Sequence, residues 1–351
     1  MTIIDLAKEL ISVPSHEGEE EVGKLIEKWL KEETDAEVLR DGMGNIIARR
    51  GSGEELAFIG HHDVVPPSFD QREGHRCKVF EKDGRLYGRG SADMKGALAS
   101  MMHSFRDANA EMELVFASFV GEEIGGVGAQ YAVSKGFNPK FVVVGEGSMG
   151  YSKEGVVDIA IAHRGRRESQ ITILGEAAHA SQPNEERNAI YLAGEVIQEI
   201  LKIPTKEINI EGKDLKSSVT VTRIEGGTAA NINPDKCTLI IDERTIPGES
   251  GAIRVDGEIE WEIKHEIPPF KCQDMSFAHR VREVANGVTK GSELIAKPHT
   301  TDAGWFSEKG CIGVVCGPAE MGQAHTSEES VDIRALEDCS EIYRRIAEVK
   351  R

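Results

Sequence analysis

Several features that would assign a chain to a large class of proteins are missing from this 351-residue sequence. It has no run of about 18 apolar residues, which argues against a membrane-spanning helix. Its net charge of −18 argues against a nucleic-acid partner, because phosphate binding needs clustered Lys and Arg. The N-terminal segment Met1–Ser15 carries acidic residues early and is typical of an amphipathic helix rather than of a signal peptide. We therefore expect a cytoplasmic protein without a membrane or nucleic-acid partner.

Cysteine is also scarce, and no two cysteines form a Cys-x-x-Cys pair. The six are Cys77, Cys237, Cys272, Cys311, Cys316 and Cys339. This scatter favours reduced, mostly buried thiols over a zinc–thiolate site or a disulfide framework. The length allows a large core and two domains.

Apolar runs alternate with helical stretches in the first 150 residues. The strand-like runs are LAFIG, ELVFASFVG and FVVVGE, and the helical stretches include GALASMMHSFRDA and GAQYAVSKG. This alternation predicts an α/β sheet that is covered by helices on both faces.

The pattern changes between residues 164 and 270. Period-two runs (ESQITILGE, SSVTVTRIEGG, KCTLIIDERTI and GEIEWEIKHEI) surround one long helical stretch, NAIYLAGEVIQEILK. These features predict a small antiparallel α+β domain. The later segments SFAHRVREVANGV, IGVVCGP and SVDIRALEDCSEIYRRIAEV return to the first pattern. We therefore predict a discontinuous α/β domain, residues 1–163 and 271–351, with a domain of residues 164–270 inserted into it.

Titratable side chains follow the strand-like runs of the α/β domain. LAFIG is followed by His61, His62 and Asp63, ELVFASFVG by Glu122 and Glu123, FVVVG by Glu146, and IGVVCGPAEMGQA by His325, while the loop GRGSADMKG carries Asp93. Any one acidic residue after a strand is weak evidence, since such residues often cap helices or face water. In open α/β sheets, however, ligands bind beyond the carboxyl ends of the strands, and here these ends carry one consistent set of groups.

Histidine together with carboxylates, without thiolates, is a ligand set for Zn²⁺, Co²⁺ or Mn²⁺. Five of these residues would suffice for two ions that share one carboxylate: His61, Asp93, Glu123, Glu146 and His325. Their three carboxylates offset most of the charge of two divalent ions, which makes burial of the whole site tolerable. The sequence therefore predicts two divalent metal ions per chain, with Zn²⁺ expected and Co²⁺ or Mn²⁺ as alternatives.

Eight motifs, in order along the chain, resemble those of the co-catalytic metal amidohydrolase family. They are GHHDVVPP, GRGSADMKG, VGEEIGG, VVVGE, GEAAHASQP, NINP, DERTIPG and QAHTSEE. That family includes acetylornithine deacetylase, succinyl-diaminopimelate desuccinylase, aminoacylases and carboxypeptidase-type enzymes. The resemblance covers essentially the whole chain. It implies a zinc-aminopeptidase-like mixed sheet flanked by helices, with an inserted α+β domain that acts as a lid and in dimerisation.

Two adjacent histidines follow the first buried run. Residues two apart on a strand point the same way, so that His61 and Asp63 face one side and His62 the other. The family pattern is His-x-Asp, and the resemblance implies that His61 binds metal while Asp63 accepts its other ring N–H. We expect His62 to be a hydrogen-bonded or partly solvated structural histidine.

Glu122 and Glu123 are also adjacent, and neighbours in an extended chain point apart. The resemblance implies that Glu123 binds metal and that Glu122 is the general base. It also implies that Asp93 bridges the two ions and that a cis peptide bond follows it. A binding protein on the same fold, without activity, is the alternative from another class; it would have little reason to retain Glu122.

The resemblance also implies roles for residues outside the ligand set. His179 would reach the active site of a partner subunit and stabilise the oxyanion, which implies a homodimer formed through the lid. Asn231 and Arg244 would grip the substrate carboxylate, Arg244 through its bidentate fork, and Thr300 would contact the substrate as well. The alternative for Arg244 is a structural salt bridge.

The expected reaction is hydrolysis of the amide bond of a small N-acyl amino acid. Desuccinylases carry Arg-Arg-Gly where this sequence has AHRG, and His163 in that position, which we expect to contact the substrate, is similar to acetylornithine deacetylases. A basic amino acid with an N-acetyl group is therefore the first expectation. Desuccinylase activity, for which Arg166 and Arg167 could compensate, is the second, and dipeptidase or carboxypeptidase activity the third. His299 and Gly304 also depart from the family pattern.

Overall fold

The structure, a computed structural model, describes residues 1–249 and 259–349. It divides into two compact units, which we call the first unit and the second unit. The first unit comprises residues 1–162, 270–297 and 301–351, and the second comprises residues 163–269 and 298–300. The sequence-based boundaries of the inserted domain were residues 164 and 270. They left the short segment Pro298–Thr300, which the structure groups with the second unit, in the other domain.

A nine-stranded mixed sheet organises the first unit. Its strands lie in the order Glu37–Arg40, Ile46–Arg50, Glu113–Phe119, Glu55–His61, Phe141–Val144, Ile312–Val315, Ile159–His163 and Phe270–Lys271, and Leu294–Lys297 pairs with Ile159–His163. The third to sixth strands in this order are parallel, and the outer pairings beside them are antiparallel. The mixed sheet and its helices confirm the predicted fold class.

The central strand Glu55–His61 is buried on both faces. Leu56 to Ile59 are fully buried, which is typical of a continuous apolar run in a parallel sheet. A Cβ added at Gly60 would lie 2.3 Å from Cε of Met94, and one added at Gly145 would lie 2.9 Å from the same atom. Glycine at both positions lets the residue after Asp93 pack closely against the sheet.

Seven helices of the described residues belong to the first unit. They are Ile3–Ser12, Glu20–Glu33, Lys95–Asp107, Val127–Ser134, Met275–Thr289, Ala303–Glu308 and Ile333–Glu348. The first is capped by Thr2, whose side chain exchanges hydrogen bonds with Asp5, and it buries an apolar face of helical period. The almost completely buried helix Lys95–Asp107 packs against the first and the last helix of the chain.

Short strands complete the first unit. Ser330–Asp332 pairs with Arg85–Tyr87, which in turn pairs with Phe80–Lys82, and Arg72–Glu73 pairs with Arg76–Cys77 after the 3₁₀ turn Phe69–Gln71. The small three-stranded sheet thus joins the chain just before the Asp93 loop to the chain just after His325.

The second unit is built on a four-stranded antiparallel sheet in the order Ser218–Gly226, Lys236–Thr245, Gly165–Leu174 and Ile259–Ile267. Burial alternates along Lys236–Thr245, as its period-two pattern predicts. The helix Ala189–Ile200 packs on this sheet over a core that includes Ile171, Leu239 and Ile241. Of the predicted strand at residues 257–267, residues 257 and 258 lie outside the described residues.

Two small antiparallel pairs of strands accompany this sheet. Ala178–His179 pairs with Ile232–Asn233, which lies far along the chain, and Glu207–Ile210 forms a hairpin with Lys213–Lys216. A 3₁₀ turn, Glu185–Arg187, precedes the helix. All six cysteines are free and buried, which confirms the prediction of mostly buried thiols without disulfides. Among the described residues, no helix combines the length and the apolar character needed to cross a membrane.

Candidate metal centre

The parallel strands bring their following residues to one edge of the sheet. His61 ends its strand opposite Phe119 on one neighbour, and Ile59 lies opposite Val144 on the other. The segments that carry Glu122, Glu123 and Glu146 therefore leave the sheet beside His61.

Two groups of side chains at this edge could each hold a metal ion. His61, Glu122 and Glu146 offer ligand atoms within 4.8 Å of one another, and so do Asp93, Glu123 and His325. The structure thus brings together all five sequence-predicted ligands, and it places the predicted base Glu122 within the first group, with His61 and Glu146.

Asp93 lies between the two histidines. Its Oδ1 is 3.0 Å from Nε2 of His61, and its Oδ2 is 3.3 Å from Nε2 of His325. His61 Nε2 is also 3.5 Å from Glu146 Oε1, and His325 Nε2 is 3.0 Å from Glu123 Oε1. A ring nitrogen and a carboxylate oxygen at these distances need either a hydrogen or a metal ion between them. The donor set therefore fits two divalent ions that share Asp93.

The pKa values of the two histidines show that the surrounding carboxylates favour positive charge at this site. Burial lowers the pKa of His61, but hydrogen bonds to Asp63, Asp93 and Glu146 outweigh it and raise the pKa well above its ordinary value. Hydrogen bonds to Asp93 and Glu123 raise the pKa of His325 to about 10. The peptide bond between Asp93 and Met94 is cis, as the resemblance implied.

Asp63 orients the ring of His61 through Nδ1, the ring nitrogen that faces away from Asp93. Its Oδ1 is 3.1 Å from Nδ1 of His61 and accepts the amide N–H of Glu122 at 3.1 Å, while its Oδ2 accepts the amide N–H of Glu123 at 2.9 Å. One buried carboxylate therefore directs Nε2 of His61 towards the site and also holds the turn that carries the two glutamates.

Glu122 and Glu123 diverge because they lie in a turn, and the expected extended segment was wrong. Gly126 N donates to the carbonyls of Gly121 and Glu122, which closes the turn directly after the strand. Glu123 meets His325, whereas Glu122 joins His61 and Glu146. Burial and the charge of Glu146 raise the pKa of Glu122 well above its ordinary value, which makes it a stronger proton acceptor.

His62 is the structural histidine that the sequence predicted. It is fully buried, and its Nδ1 lies 2.8 Å from Oγ of Ser118. Burial lowers the pKa of His62 to about 3, so that the ring is neutral at ordinary pH.

Three charged residues near the site were missed by the sequence analysis. Lys297 is buried, with Nζ 4.0 Å from Oε2 of Glu146, and burial lowers its pKa. Asp302 is fully buried, and in the described part of the chain neither of its carboxylate oxygens has a hydrogen-bond partner; burial raises its pKa to about 7. Glu329 accepts three backbone N–H groups of the Asp93 loop. For Lys297 a signal existed, because it ends the apolar run LIAK as the other site residues end theirs.

In the second unit, His179 and Asn231 are neighbours. His179 lies opposite Ile232 in a short antiparallel pair of strands, and Ala180 N donates to the carbonyl of Asn231 at 3.0 Å. The amide of Ser181 donates to Nδ1 of His179 at 3.2 Å, which leaves Nε2 to carry the ring hydrogen as a donor. Both residues are exposed, and this tautomer suits a group that stabilises an oxyanion.

Arg244 is engaged by a neighbour on its own strand. Its Nε donates to Asp242 Oδ1 at 2.7 Å and its Nη2 to Asp242 Oδ2 at 3.3 Å, which is the salt-bridge alternative of the sequence analysis. Arg166 donates to the same carboxylate at 3.1 Å, and Arg167 donates to Glu243 at 3.2 Å. Both arginines that were to compensate for a missing succinate ligand are therefore engaged within the second unit.

The two other predicted substrate contacts also lie in the second unit. His163 is fully buried, and its Nδ1 lies 2.9 Å from the carbonyl of Arg164. Arg164 Nε donates to the carbonyl of Pro298 at 3.1 Å, which ties the segment carrying Thr300 to this unit. The Thr300 hydroxyl is buried and lacks a hydrogen-bond partner within the described residues.

Comparison with known proteins agrees with this geometry. Residues 57–349 match the model of peptidase family M20/M25/M40. The chain is 28% identical to an acetylornithine deacetylase from Proteus mirabilis, with 99% of this chain and 96% of that protein covered. It is 27% identical to an acetylornithine deacetylase from Myxococcus xanthus, with 86% of this chain and 82% of that protein covered.

Solved structures share the fold over almost the full length. The aminopeptidase PepT of Bacillus cereus superposes with a TM-score of 0.78 at 23% identity, covering 98% of this chain and 97% of that chain. A dinuclear metal-binding peptidase of the M20 family from Bacillus subtilis gives a TM-score of 0.71 at 20% identity, covering 98% and 96%.

The sheet-edge ligand groups and these comparisons together define a metal-dependent hydrolase. The chain belongs to peptidase family M20/M25/M40.

Proposed function

We propose that the chain is a two-metal amide hydrolase that removes the acetyl group from the α-nitrogen of a basic amino acid, as an acetylornithine deacetylase does. The observation that carries this proposal is the position of Asp93, whose two oxygens face His61 and His325, with Glu122 beside the first of these. Zn²⁺ is the proposed ion, because two histidines and three carboxylates suit it.

The residues around Asp93 divide the work of hydrolysis. His61, Asp93, Glu123, Glu146 and His325 would hold two divalent ions, which would supply polarisation of the scissile carbonyl and activation of a water molecule. Glu122 takes the proton from the attacking water and later delivers it to the leaving amine. Asp63 keeps the ring of His61 and the Glu122 turn in place during these steps.

An N-acetyl group on a basic amino acid is favoured by three observations. The relatives reported above are named acetylornithine deacetylase. His163 stands where desuccinylases carry an arginine. Arg166 and Arg167, which could have compensated for that arginine, are held by acidic neighbours in the second unit.

We also propose a cytoplasmic homodimer that assembles through the second unit. Six free, buried thiols suit a reducing compartment. Within the described residues, Ser218–Gly226 and Ile259–Ile267 are the edges of the sheet of the second unit, and unpaired edges must be protected or paired. In this dimer, His179 donates from Nε2 to the oxyanion formed in the site of the partner subunit, while Asn231, Arg244 and Thr300 hold the substrate.

The test is a substrate panel. Purified protein loaded with Zn²⁺ or Co²⁺ is assayed with N-acetylornithine, N-acetyl-lysine, N-succinyl-diaminopimelate and unblocked dipeptides. We expect the two N-acetyl compounds to have the highest kcat/KM. Highest activity on the succinyl compound would reassign the acyl group, and highest activity on dipeptides would make the chain a peptidase.

A further inference from the structure

Glu329 is a buried carboxylate with an unusual number of backbone partners. It is 1% exposed, and its Oε1 accepts the amide N–H groups of Gly90, Ala92 and Asp93 at 3.0, 3.0 and 3.1 Å. Its Oε2 accepts from Nη1 of the buried Arg89. Four donors from one five-residue segment therefore converge on a single side chain.

The segment that Glu329 holds is the loop that presents Asp93. Glu329 follows His325 by four residues, and its own carbonyl accepts the amide N–H of Gly88 at 3.1 Å. Directly after it, Ser330–Asp332 pairs with Arg85–Tyr87. Glu329 thus joins the chain that carries one candidate metal ligand to the loop that carries another.

The hydrogen bonds to Glu329 act on the loop that determines where the two oxygens of Asp93 lie. Asp93 places one oxygen at His61 and the other at His325, so that a small rotation of its loop moves both oxygens. A carboxylate that fixes the amide of Asp93 itself fixes the start of that side chain. Charge-assisted hydrogen bonds are stronger than neutral ones, and here three of them act on residues 90, 92 and 93 of one loop.

We propose that Glu329 is a positioning residue that sets the geometry of Asp93. It thereby sets the affinity of the protein for the second divalent ion to bind when metal-free protein is titrated. The inference rests on the proposed two-metal function. Glu329 touches neither ion nor substrate, and it acts only through the amide groups of the Asp93 loop and through Arg89.

The test compares Glu329→Gln with Glu328→Gln, a matched control at the adjacent, exposed glutamate. Each metal-free protein is titrated with Co²⁺ by calorimetry and visible absorption. We expect Glu329→Gln to bind the second ion about 10–100-fold more weakly, which is the usual effect of removing a group that orients metal ligands. Glu328→Gln should match the wild type.

Two further readouts separate positioning from a general loss of stability. Amide hydrogens of Gly90, Ala92 and Asp93 should exchange faster in Glu329→Gln, while those of the helix Lys95–Asp107 keep their protection. Activity lost at limiting Co²⁺ should return towards the wild-type kcat when Co²⁺ is saturating. A variant that is merely unstable would lose protection throughout the first unit, and not only at the Asp93 loop.

If Glu329→Gln does not fold, Glu329→Asp replaces it in the test, because aspartate keeps the negative charge but has a shorter side chain. Its second ion should bind more weakly than in the wild type. If the wild type binds two ions and the variants bind them equally well, the inference is overturned and the proposed function stands. A wild type that binds no divalent ion would overturn the proposed function, and the inference with it.

Discussion

His179 and Asn231 in the second unit are held differently from the candidate residues around His61 in the first unit. In the first unit, His61, Asp63 and Asp93 are linked to one another and to the backbone by hydrogen bonds of 2.9–3.1 Å. In the second unit, His179 and Asn231 are exposed and lie in a short antiparallel pair of strands, where the backbone amide of Ser181 donates to His179 Nδ1. The first arrangement is built before any substrate arrives, whereas the second leaves Nε2 of His179 exposed as a donor.

This difference separates two kinds of function. Metal ligands must be fixed in advance, since loosely held ligands lose affinity. Groups that meet the substrate or the transition state must keep an unused donor, as His179 does at Nε2. Changes in the first unit should therefore alter metal binding or the chemical step, and changes in the second unit should alter catalysis or substrate affinity with the metal retained.

Metal removal should have the largest effect. Chelation should abolish amide hydrolysis, because polarisation of the carbonyl and activation of water both depend on the ions. Dialysis against a chelator followed by an assay measures this, and added Zn²⁺ or Co²⁺ should restore activity. If protein that metal analysis shows to be free of divalent ions is fully active, the first unit does not act through metal binding, and the comparison of the two units fails.

Replacement of Glu122 by Ala should follow in size. We expect kcat to fall by about 10²–10⁴, the usual contribution of a general base, while bound metal is retained. Steady-state kinetics and metal analysis of the same preparation measure both quantities. Glu123→Ala is the matched control and should lose metal; the opposite result for the pair would exchange the two roles.

His179→Ala should lower kcat by about 10²–10³, the typical effect of losing an oxyanion donor, with its metal content unchanged. If His179 serves a partner subunit, mixing His179→Ala chains with Glu122→Ala chains should restore about a quarter of wild-type activity, because half of the dimers then carry one complete site. The mixture is assayed after subunit exchange has been demonstrated. No recovery, or a protein that stays monomeric, would leave His179 without a role in a partner's site.

Arg244→Ala should have the smallest effect. If Arg244 leaves Asp242 to hold the substrate carboxylate, KM should rise about tenfold to a hundredfold with kcat little changed, since a hydrogen bond to a charged group contributes about 1.5–3 kcal/mol. Arg166→Ala, which removes the other arginine that donates to Asp242, is the control. An equal response in both variants would show that Arg244 acts only as a structural partner of Asp242.

Much of the first unit was predictable because its signals are local. The run LAFIG and its neighbours identify buried strands, and the residues that follow them identify the ligand edge. His61 and Asp63 were separated correctly from His62, since strand periodicity sets which side each one faces. The motif order added the roles of Glu122 and Glu123, which their local turn alone does not distinguish.

The missed features depend on contacts between distant parts of the chain. Glu329 and the Asp93 loop are separated by 236 residues or more, and no local pattern announces that pairing. The buried carboxylate of Asp302, for which the described residues offer no hydrogen-bond partner, becomes visible only once the residues packed around it are known. Arg244 was assigned to substrate by its motif, while its partner Asp242, two residues away on the same face, was overlooked.

The central claim is that Asp93 serves two ions at once, and counting ions tests it most directly. Metal analysis of folded protein at saturating Zn²⁺ should give two ions per chain in the wild type and one in Glu146→Ala, because the Asp93, Glu123 and His325 group is untouched by that substitution. A single tight ion in the wild type, or two ions retained in Glu146→Ala, would contradict the account.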